Sequence, residues 1–253
     1  MSQPLKVFIT GASSGIGQAL AEFYAGQGSQ LALCARRAER LESLASRWPG
    51  QIVCYPLDVT DADALRAAAD DFVNRFGLPD VVIANAGISV GTLSEHAADL
   101  DAIRRVMDTN FFGMAATFSP FIAAMRRAGR GRLVGIASVA GMRGLPGAEA
   151  YCASKAAAIS YLESLRVELH GSGVKVVSIC PGYIDTPMTQ ANPFSMPFLM
   201  PADAAARAFD RAIRRGVSQV VIPWPMAIVA RVLRWIPNPL YDWVFARAPR
   251  KRR

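Results

Sequence analysis

Two side chains in the Ala-rich run YCASKAA invite a chemical reading: Tyr151 and Lys155 stand four residues apart. On a helix, positions i and i+4 share one face, so the phenol and the ammonium point the same way. A phenol with an ordinary pKa of about 10 is a sluggish proton donor near neutrality. A cation about 4 Å away, at an effective dielectric of about 20, is worth roughly 4 kcal/mol, or about three pKa units before desolvation subtracts from it. The pair therefore suits proton transfer to an oxygen that gains negative charge. Taken alone, it also fits an exposed helix face on which the two residues coincide, and the rest of the chain has to decide.

A second stretch bears on that decision. TGASSGIG, Thr10 to Gly17, follows the strand-like run LKVFIT and opens a helical pattern. Glycines let a backbone turn sharply and approach a ligand, and the N–H groups of a helix start favour a pyrophosphate. Gly11, Ser13, Ser14, Gly15, Ile16 and Gly17 are therefore expected at a dinucleotide. The spacing is GxxxGxG and differs from the GxGxxG of other dinucleotide folds; a purely structural turn is the alternative. The second strand-like run ends in CARRAER, where Ala35 stands in the place of an acid that would bind the adenosine ribose of NAD. Arg36 and Arg37 follow and would accommodate a 2′-phosphate, which favours NADP(H). The competing reading makes both arginines the solvated start of a helix.

These residues need a frame. Apolar runs at 5–10, 30–35, 51–58, 80–87, 131–138, 174–182 and 218–223 read as strands bounded by Gly, Pro or polar residues. Amphipathic segments at roughly 15–27, 38–48, 61–76, 99–127, 150–170 and 201–215 alternate with them. Strands apolar on both faces, alternating with helices, imply a doubly wound α/β fold with a parallel sheet covered on both sides. No linker or repeat divides it. One catalytic and dinucleotide-binding domain over 1–223 is expected, followed by a C-terminal extension over 224–253.

The motifs now assembled resemble the short-chain dehydrogenase/reductase superfamily: TGASSGIG, LDVT at 57–60, NAG at 85–87, MDTNFFG at 107–113, IASVAG at 136–141, YCASK at 151–155 and PGYIDT at 181–186. The resemblance runs from about Leu5 to Pro223. It implies a Rossmann-like sheet of seven parallel strands, as many as the runs above, and a homodimer or homotetramer. It implies Asn110, Ser138, Tyr151 and Lys155 as the catalytic set, with Lys155 also holding the nicotinamide ribose and Asn110 reaching Lys155 through water. It implies that Asp58 and Val59 line the adenine site and that Asn85, Ala86 and Gly87 turn beside the cofactor. Pro181, Gly182, Ile184 and Thr186 belong to the motif whose last two named residues approach the nicotinamide amide. Ser138 would hydrogen-bond the substrate oxygen and not attack it, since no histidine or carboxylate partner is suggested nearby.

Composition bounds the remainder. Hydrophobic residues make up 52% and charged residues 19% of 253, which excludes disorder. The net charge of +8 does not signal nucleic acid, because seven Arg or Lys against Asp242 give residues 224–253 +6 and leave +2 elsewhere. Cys34, Cys54, Cys152 and Cys180 have no CxxC spacing and read as buried free thiols of a reducing compartment. His96 and His170 lie too far apart to suggest a metal site. A strand starting at Leu5 leaves no room for a signal peptide, so a cytosolic protein is expected.

The substrate side is greasier. MTQANPFSMPFLMP, 188–201, offers Met, Phe and Pro without clear periodicity and favours a hydrophobic ketone or secondary alcohol over a sugar. In PMAIVARVLRWI, helical phasing collects Ile228, Val229, Val232, Leu233, Trp235 and Ile236 on a broad apolar face. NPLYDWVFARAPRKRR adds aromatics and a polybasic end. Residues 225–245 are expected to pack on the protein as a pocket cap or subunit interface; the other reading is peripheral contact with anionic lipid. The functional expectation is an NADPH-dependent oxidoreductase for a lipid-like or steroid-like carbonyl. A cofactor-binding sensor without turnover and a 3-oxoacyl-carrier reductase are the alternatives.

Overall fold

The computed structural model describes residues 4–190, 192 and 195–248. Seven strands form one sheet: β1 (Lys6–Thr10), β2 (Gln30–Ala35), β3 (Ile52–Pro56), β4 (Val81–Ala84), β5 (Gly131–Ile136), β6 (Val174–Pro181) and β7 (Gln219–Ile222). The order is β3-β2-β1-β4-β5-β6-β7, and every pairing is parallel. The winding reverses between β1 and β4, which opens a crevice beyond the carboxyl ends of the central strands.

Strand alternation builds two cores. Val7, Ile9, Leu31, Leu33, Val81 and Ile83 face α1 (Gly15–Ala25), α2 (Ala38–Ala45) and, further along the chain, the helix at Ala202–Arg215. Phe8, Ala32, Cys34, Val82 and Ala84 face the other way, toward α3 (Ala62–Phe76) and the helices at Gly113–Ala128 and Glu149–Glu168. Because successive side chains point to opposite faces, both sets must be apolar for the sheet to be covered twice. Asp61 starts α3 by accepting hydrogen bonds from the backbone of Asp63 and Ala64 at 3.1 and 2.9 Å.

Two departures from the sequence reading matter for the site. The strands end earlier than the apolar runs: 80–87 is a strand only to Ala84 and 131–138 only to Ile136, so Asn85–Gly87 and Ser138 stand on loops at the sheet's carboxyl edge. The segment 99–127 is not one helix. It divides into α4 (Asp99–Met107), a π-helical turn at Asp108–Phe112, and α5 (Gly113–Ala128). Asn110 sits in the π turn, wholly buried. Such a turn inserts one extra residue into the helix and re-aims the side chain at that point.

Helix α6 (Glu149–Glu168) carries YCASK. After it come the short α7 (Pro187–Gln190), α8 (Ala202–Arg215), α9 (Pro225–Trp235) and α10 (Asn238–Phe245). The expected packing of 225–245 is only partial: α9 buries Met226 and Ala230 and α10 buries Tyr241, while Ile228, Val232 and Trp235 of the apolar face stay exposed. The thiol expectation also needs correction at one position, because Cys54 is half-buried where Cys34, Cys152 and Cys180 are buried.

Candidate active site and dinucleotide cleft

The crevice begins at the turn after β1. Gly11 and Gly15 adopt φ of +69° and +56°, which L side chains rarely reach. A Cβ on Gly11 would lie 2.7 Å from Ala86 Cα, so the absence of a side chain lets the β1 and β4 loops meet. Asn85 fastens them: its Nδ2 donates to the Thr10 and Gly11 carbonyls at 3.1 Å each, and its backbone N–H donates to Thr10 Oγ1 at 3.2 Å. Ser14 precedes α1 without a side-chain cap, and no acidic residue occupies the first turn. The helix start therefore keeps N–H groups for an anion.

The hydroxyl of Ser14 is engaged elsewhere. Arg37 Nη2 donates to Ser13 Oγ and to Ser14 Oγ, both at 3.0 Å, bringing a guanidinium and two hydroxyls to one corner of the cleft. Arg36 behaves differently. Its Nη1 lies 3.7 Å from Asp58 Oδ2 on an exposed rim, and Asp58 Oδ1 also accepts from Thr60 N and Oγ1 at 3.0 and 2.9 Å.

Gly11, Ser13, Ser14, Gly15, Ile16, Arg36, Arg37, Asp58, Val59, Asn85, Ala86, Gly87, Pro181, Gly182, Ile184 and Thr186 line one cleft with Ser138, Tyr151 and Lys155. Gly17 and Asn110 do not. Gly17 lies behind the turn, where a Cβ would meet the Gly11 carbonyl oxygen at 2.2 Å. Leu57, Ile88, Thr109, Ile136, Ala137 and Thr189 also line the cleft, and sequence reasoning missed them. Each lies within three residues of a quoted motif residue, so position along the motifs was the available signal.

Ser138 ends the loop after β5, and its Oγ accepts from Ala140 N at 3.1 Å. Tyr151 and Lys155 stand on α6, and Lys155 Nζ donates to the Ile136 carbonyl at 2.7 Å. Asn110 Oδ1 accepts from Ile88 N at 2.8 Å; its Nδ2 donates to Ile88 O and Ser154 Oγ, both at 2.9 Å. Ser154 Oγ donates in turn to the Tyr151 carbonyl at 2.8 Å. The buried amide thus joins the β4 loop to the helix that carries Tyr151. Its direct partners are Ile88 and Ser154, where the resemblance implied a water-mediated route to Lys155. Both ends of that route are near: a Cβ on Gly87 would lie 3.2 Å from Asn110 Oδ1 and 3.6 Å from Lys155 Nζ.

Burial reverses the downward shift expected for the Tyr151 phenol from a neighbouring cation. Burial pushes the Tyr151 phenol above its ordinary range, opposed by a hydrogen bond from Ser138. Lys155 Nζ sits 5.9 Å from the Tyr151 ring centroid, and burial lowers its own pKa from 10.5 to about 8. Desolvation outweighs the Ser138 hydrogen bond, so the phenol shifts upward.

A dinucleotide fits this donor set. Among the described residues, Ile136 O is the hydrogen-bond acceptor of the Lys155 ammonium, which has donors to spare for ribose hydroxyls. The Gly11–Gly15 turn and the uncapped α1 suit a pyrophosphate.

The low pKa of Lys155 has a thermodynamic sign. The unfolded chain holds this proton up to about pH 10.5 and the folded chain only to about pH 8, so the unfolded state binds more protons between those values. Stability must then rise with pH across that window. Between pH 8 and 9.5 the wild type should gain about 2 kcal/mol relative to Lys155→Met, in which every other titrating group is shared. Denaturant unfolding of both proteins measures this, and parallel pH profiles would reject the buried ammonium.

The comparisons agree with the geometry. Residues 6–194 match the family described as short chain dehydrogenase. An oxidoreductase of Myxococcus xanthus is 40% identical over 237 residues, covering 92% of this chain and 93% of that protein. The 11-beta-hydroxysteroid dehydrogenase-like 2 of Arabidopsis thaliana is 33% identical over 94% of this chain and 81% of its own length. Among solved structures, the alcohol dehydrogenase from the archaeon Thermococcus sibiricus complexed with 5-hydroxy-NADP superposes with a TM-score of 0.76 at 27% identity, covering 86% of this chain and 95% of that one. With seven parallel strands, a glycine turn after the first and a Ser, Tyr and Lys set at the crevice, the chain belongs to the NAD(P)-dependent short-chain dehydrogenase/reductase family.

Proposed function

We propose that the protein is an NADPH-dependent carbonyl reductase, reversible in principle, for hydrophobic ketones and secondary alcohols of lipid-like or steroid-like character. The observation that carries the cofactor choice is the Arg37 guanidinium held against Ser13 and Ser14. A guanidinium just past the second strand, hydrogen-bonded to two hydroxyls of the turn after β1, suits a dianion such as the 2′-phosphate of NADP(H). The complex of the archaeal alcohol dehydrogenase with an NADP derivative supports the same choice.

A bound nicotinamide would supply the hydride for reduction or take it in oxidation. In this reading the Gly11–Gly15 turn holds the pyrophosphate, Asp58 and Val59 the adenine, Lys155 the ribose, and Ile184 and Thr186 the carboxamide. The Tyr151 phenol, kept protonated by burial, gives its proton to the carbonyl oxygen. Ser138 hydrogen-bonds the same oxygen. Lys155, charged below about pH 8, stabilises negative charge left on the phenol. Asn110 acts at one remove, as a positioning residue for Ile88 and Ser154.

The adjoining cavity of about 390 Å³ supports the substrate class: Val139, Leu145, Pro146, Tyr183, Met188 and Phe245 line it together with Ser138 and Tyr151. Most of the wall surface is apolar, and Ser89, Tyr183, Thr189, Asn192 and Ser195 add polar groups to it, which suits a greasy carbonyl compound with a few polar anchor points. The name of the Arabidopsis relative points to the same chemistry. The 188–201 segment contributes Met188, Thr189, Asn192 and Ser195 to the cavity, while Phe198 and Leu199 face outward and Phe194 lies outside the described residues.

Arg37→Ala tests the cofactor reading. With an apolar ketone as substrate, the kcat/KM preference for NADPH over NADH should fall about 10- to 100-fold, through the KM for NADPH, as expected for losing a hydrogen bond to a charged group. An unchanged preference rejects the dianion site. Tight NADPH binding without oxidation across a broad ketone panel would favour the sensor reading.

A further inference from the structure

Helices α9 and α10 have two faces with different tasks. The inner face is anchored. Arg143 Nη1 donates to the Leu233 and Ile236 carbonyls, both at 2.6 Å, and its Nη2 to Asn238 Oδ1 at 2.9 Å. The same guanidinium lies 3.9 Å above the Tyr241 ring, and the Tyr241 hydroxyl donates to the Gly144 carbonyl. This clamp fixes both helices to the 141–146 loop, and Phe245 closes one wall of the substrate cavity.

The outer face is bare and apolar. Trp224, just before α9, and Trp235 and Trp243 are 72%, 80% and 78% exposed, with Ile228, Val232, Leu240 and Val244 of α9 and α10 also exposed. The charges on this part of the chain are nearly all of one sign: Arg231, Arg234 and Arg247 are exposed against Asp242 alone. Large exposed apolar patches mark interaction surfaces, and indole rings favour the boundary between water and hydrocarbon.

We propose that this face docks the protein on an anionic lipid bilayer, with α9 and α10 lying in the headgroup region and the substrate cavity opening beside the membrane. Charge complementarity selects the partner. A twofold interface between copies would repeat the same arginines on both sides with one carboxylate each to offset them, whereas anionic headgroups supply the missing counter-charge. Geometry sets the mode of contact. Helices of 11 and 8 residues are too short to span hydrocarbon, and among the described residues no helix is long and apolar enough to cross a membrane. The proximity of Phe245 to this face gives a lipophilic substrate a short path from the bilayer to Ser138 and Tyr151. Docking itself is independent of the redox reading, since it is measured without substrate or dinucleotide.

The test is co-sedimentation of the full chain with vesicles of phosphatidylcholine alone and with about one third phosphatidylglycerol. The anionic vesicles should bind at least about tenfold more strongly, and raising salt from about 0.05 to about 0.5 M should remove most of that preference. Trp235→Ser with Trp243→Ser alters two exposed side chains. This double variant should keep its circular dichroism and melting temperature and lose about tenfold or more in vesicle partitioning. Equal binding by wild type and variant, or no preference for anionic lipid, overturns the proposal. A wild-type dimer that separates in the variant, with no vesicle binding by either, overturns it in favour of a second copy.

Discussion

Tyr151→Phe should lower the rate of ketone reduction by about a thousandfold or more while leaving dinucleotide affinity within about threefold of the wild type. The substitution removes one oxygen and keeps the ring. Lys155, the Gly11–Gly15 turn and Arg37 are untouched, so the contacts proposed to hold the dinucleotide survive. A positioned general acid contributes about 10²- to 10⁴-fold, and the Ser138 hydroxyl that lines the cavity with Tyr151 is a far weaker acid than a phenol. Folding should suffer little, because the partner left behind is a hydroxyl that can turn elsewhere, at a cost of about 1 kcal/mol. Two measurements separate the roles: steady-state NADPH oxidation with an apolar ketone, and fluorescence titration of NADPH. A variant that retains more than about a tenth of the rate would move the proton donor to another group.

The pH profile of the wild type sharpens the test. Reduction consumes the protonated phenol, which persists below the phenol's pKa, and burial raises that pKa above its ordinary 10.0. The phenol therefore does not limit the rate near pH 8. The ammonium of Lys155 titrates there, so reduction should decline as pH rises through about 8.

Much of this arrangement is legible in the sequence because the fold repeats one physical requirement. Strand runs such as VVIA must be apolar on both faces to lie in the middle of a covered sheet, and the seven of them announce the topology. The cleft is legible for a related reason: backbone turns that admit a phosphate leave glycines at fixed places. What stays hidden depends on three-dimensional quantities. The direction of the Tyr151 shift is decided by burial, and an i, i+4 spacing carries no measure of that. The π turn at Asp108–Phe112 adds one residue to a pattern whose apolar spacing hardly changes, so the sequence shows one helical segment over 99–127 and not the break that aims Asn110 inward. Arg36 and Arg37 are equivalent in the string, yet one pairs with Asp58 on the rim and the other meets Ser13 and Ser14. The phasing of α9 displays an apolar face, but whether protein covers it depends on neighbours far along the chain.

Gly15 and Gly17 make the same point and lead to the second large effect. Both belong to one motif, yet Gly15 has a positive φ and lines the cleft, while Gly17 is buried behind it. Alanine in place of a helical glycine ordinarily stabilises by about 0.5–1 kcal/mol. At Gly17 the sign reverses. The new Cβ would stand 2.2 Å from the Gly11 carbonyl oxygen and 2.5 Å from Asn85 Nδ2, the two atoms whose hydrogen bond ties the β1 turn to the β4 loop. The oxygen belongs to the backbone and the Asn85 amide is held by its bonds to the Thr10 and Gly11 carbonyls, so α1 must move away from the turn or the Asn85 bond must break. Overpacking of this kind costs about 1–3 kcal/mol, and loss of a buried hydrogen bond adds about 1 kcal/mol. Gly17→Ala should therefore lose about 2–4 kcal/mol in denaturant unfolding and at least about thirtyfold in dinucleotide affinity. Gly144→Ala is the matched control, because nothing lies within 4 Å of its added Cβ, and both quantities should stay near wild type. If the two variants behave alike, the β1 turn is pliable and the close approach of helix to turn does not govern how the cleft binds its ligand.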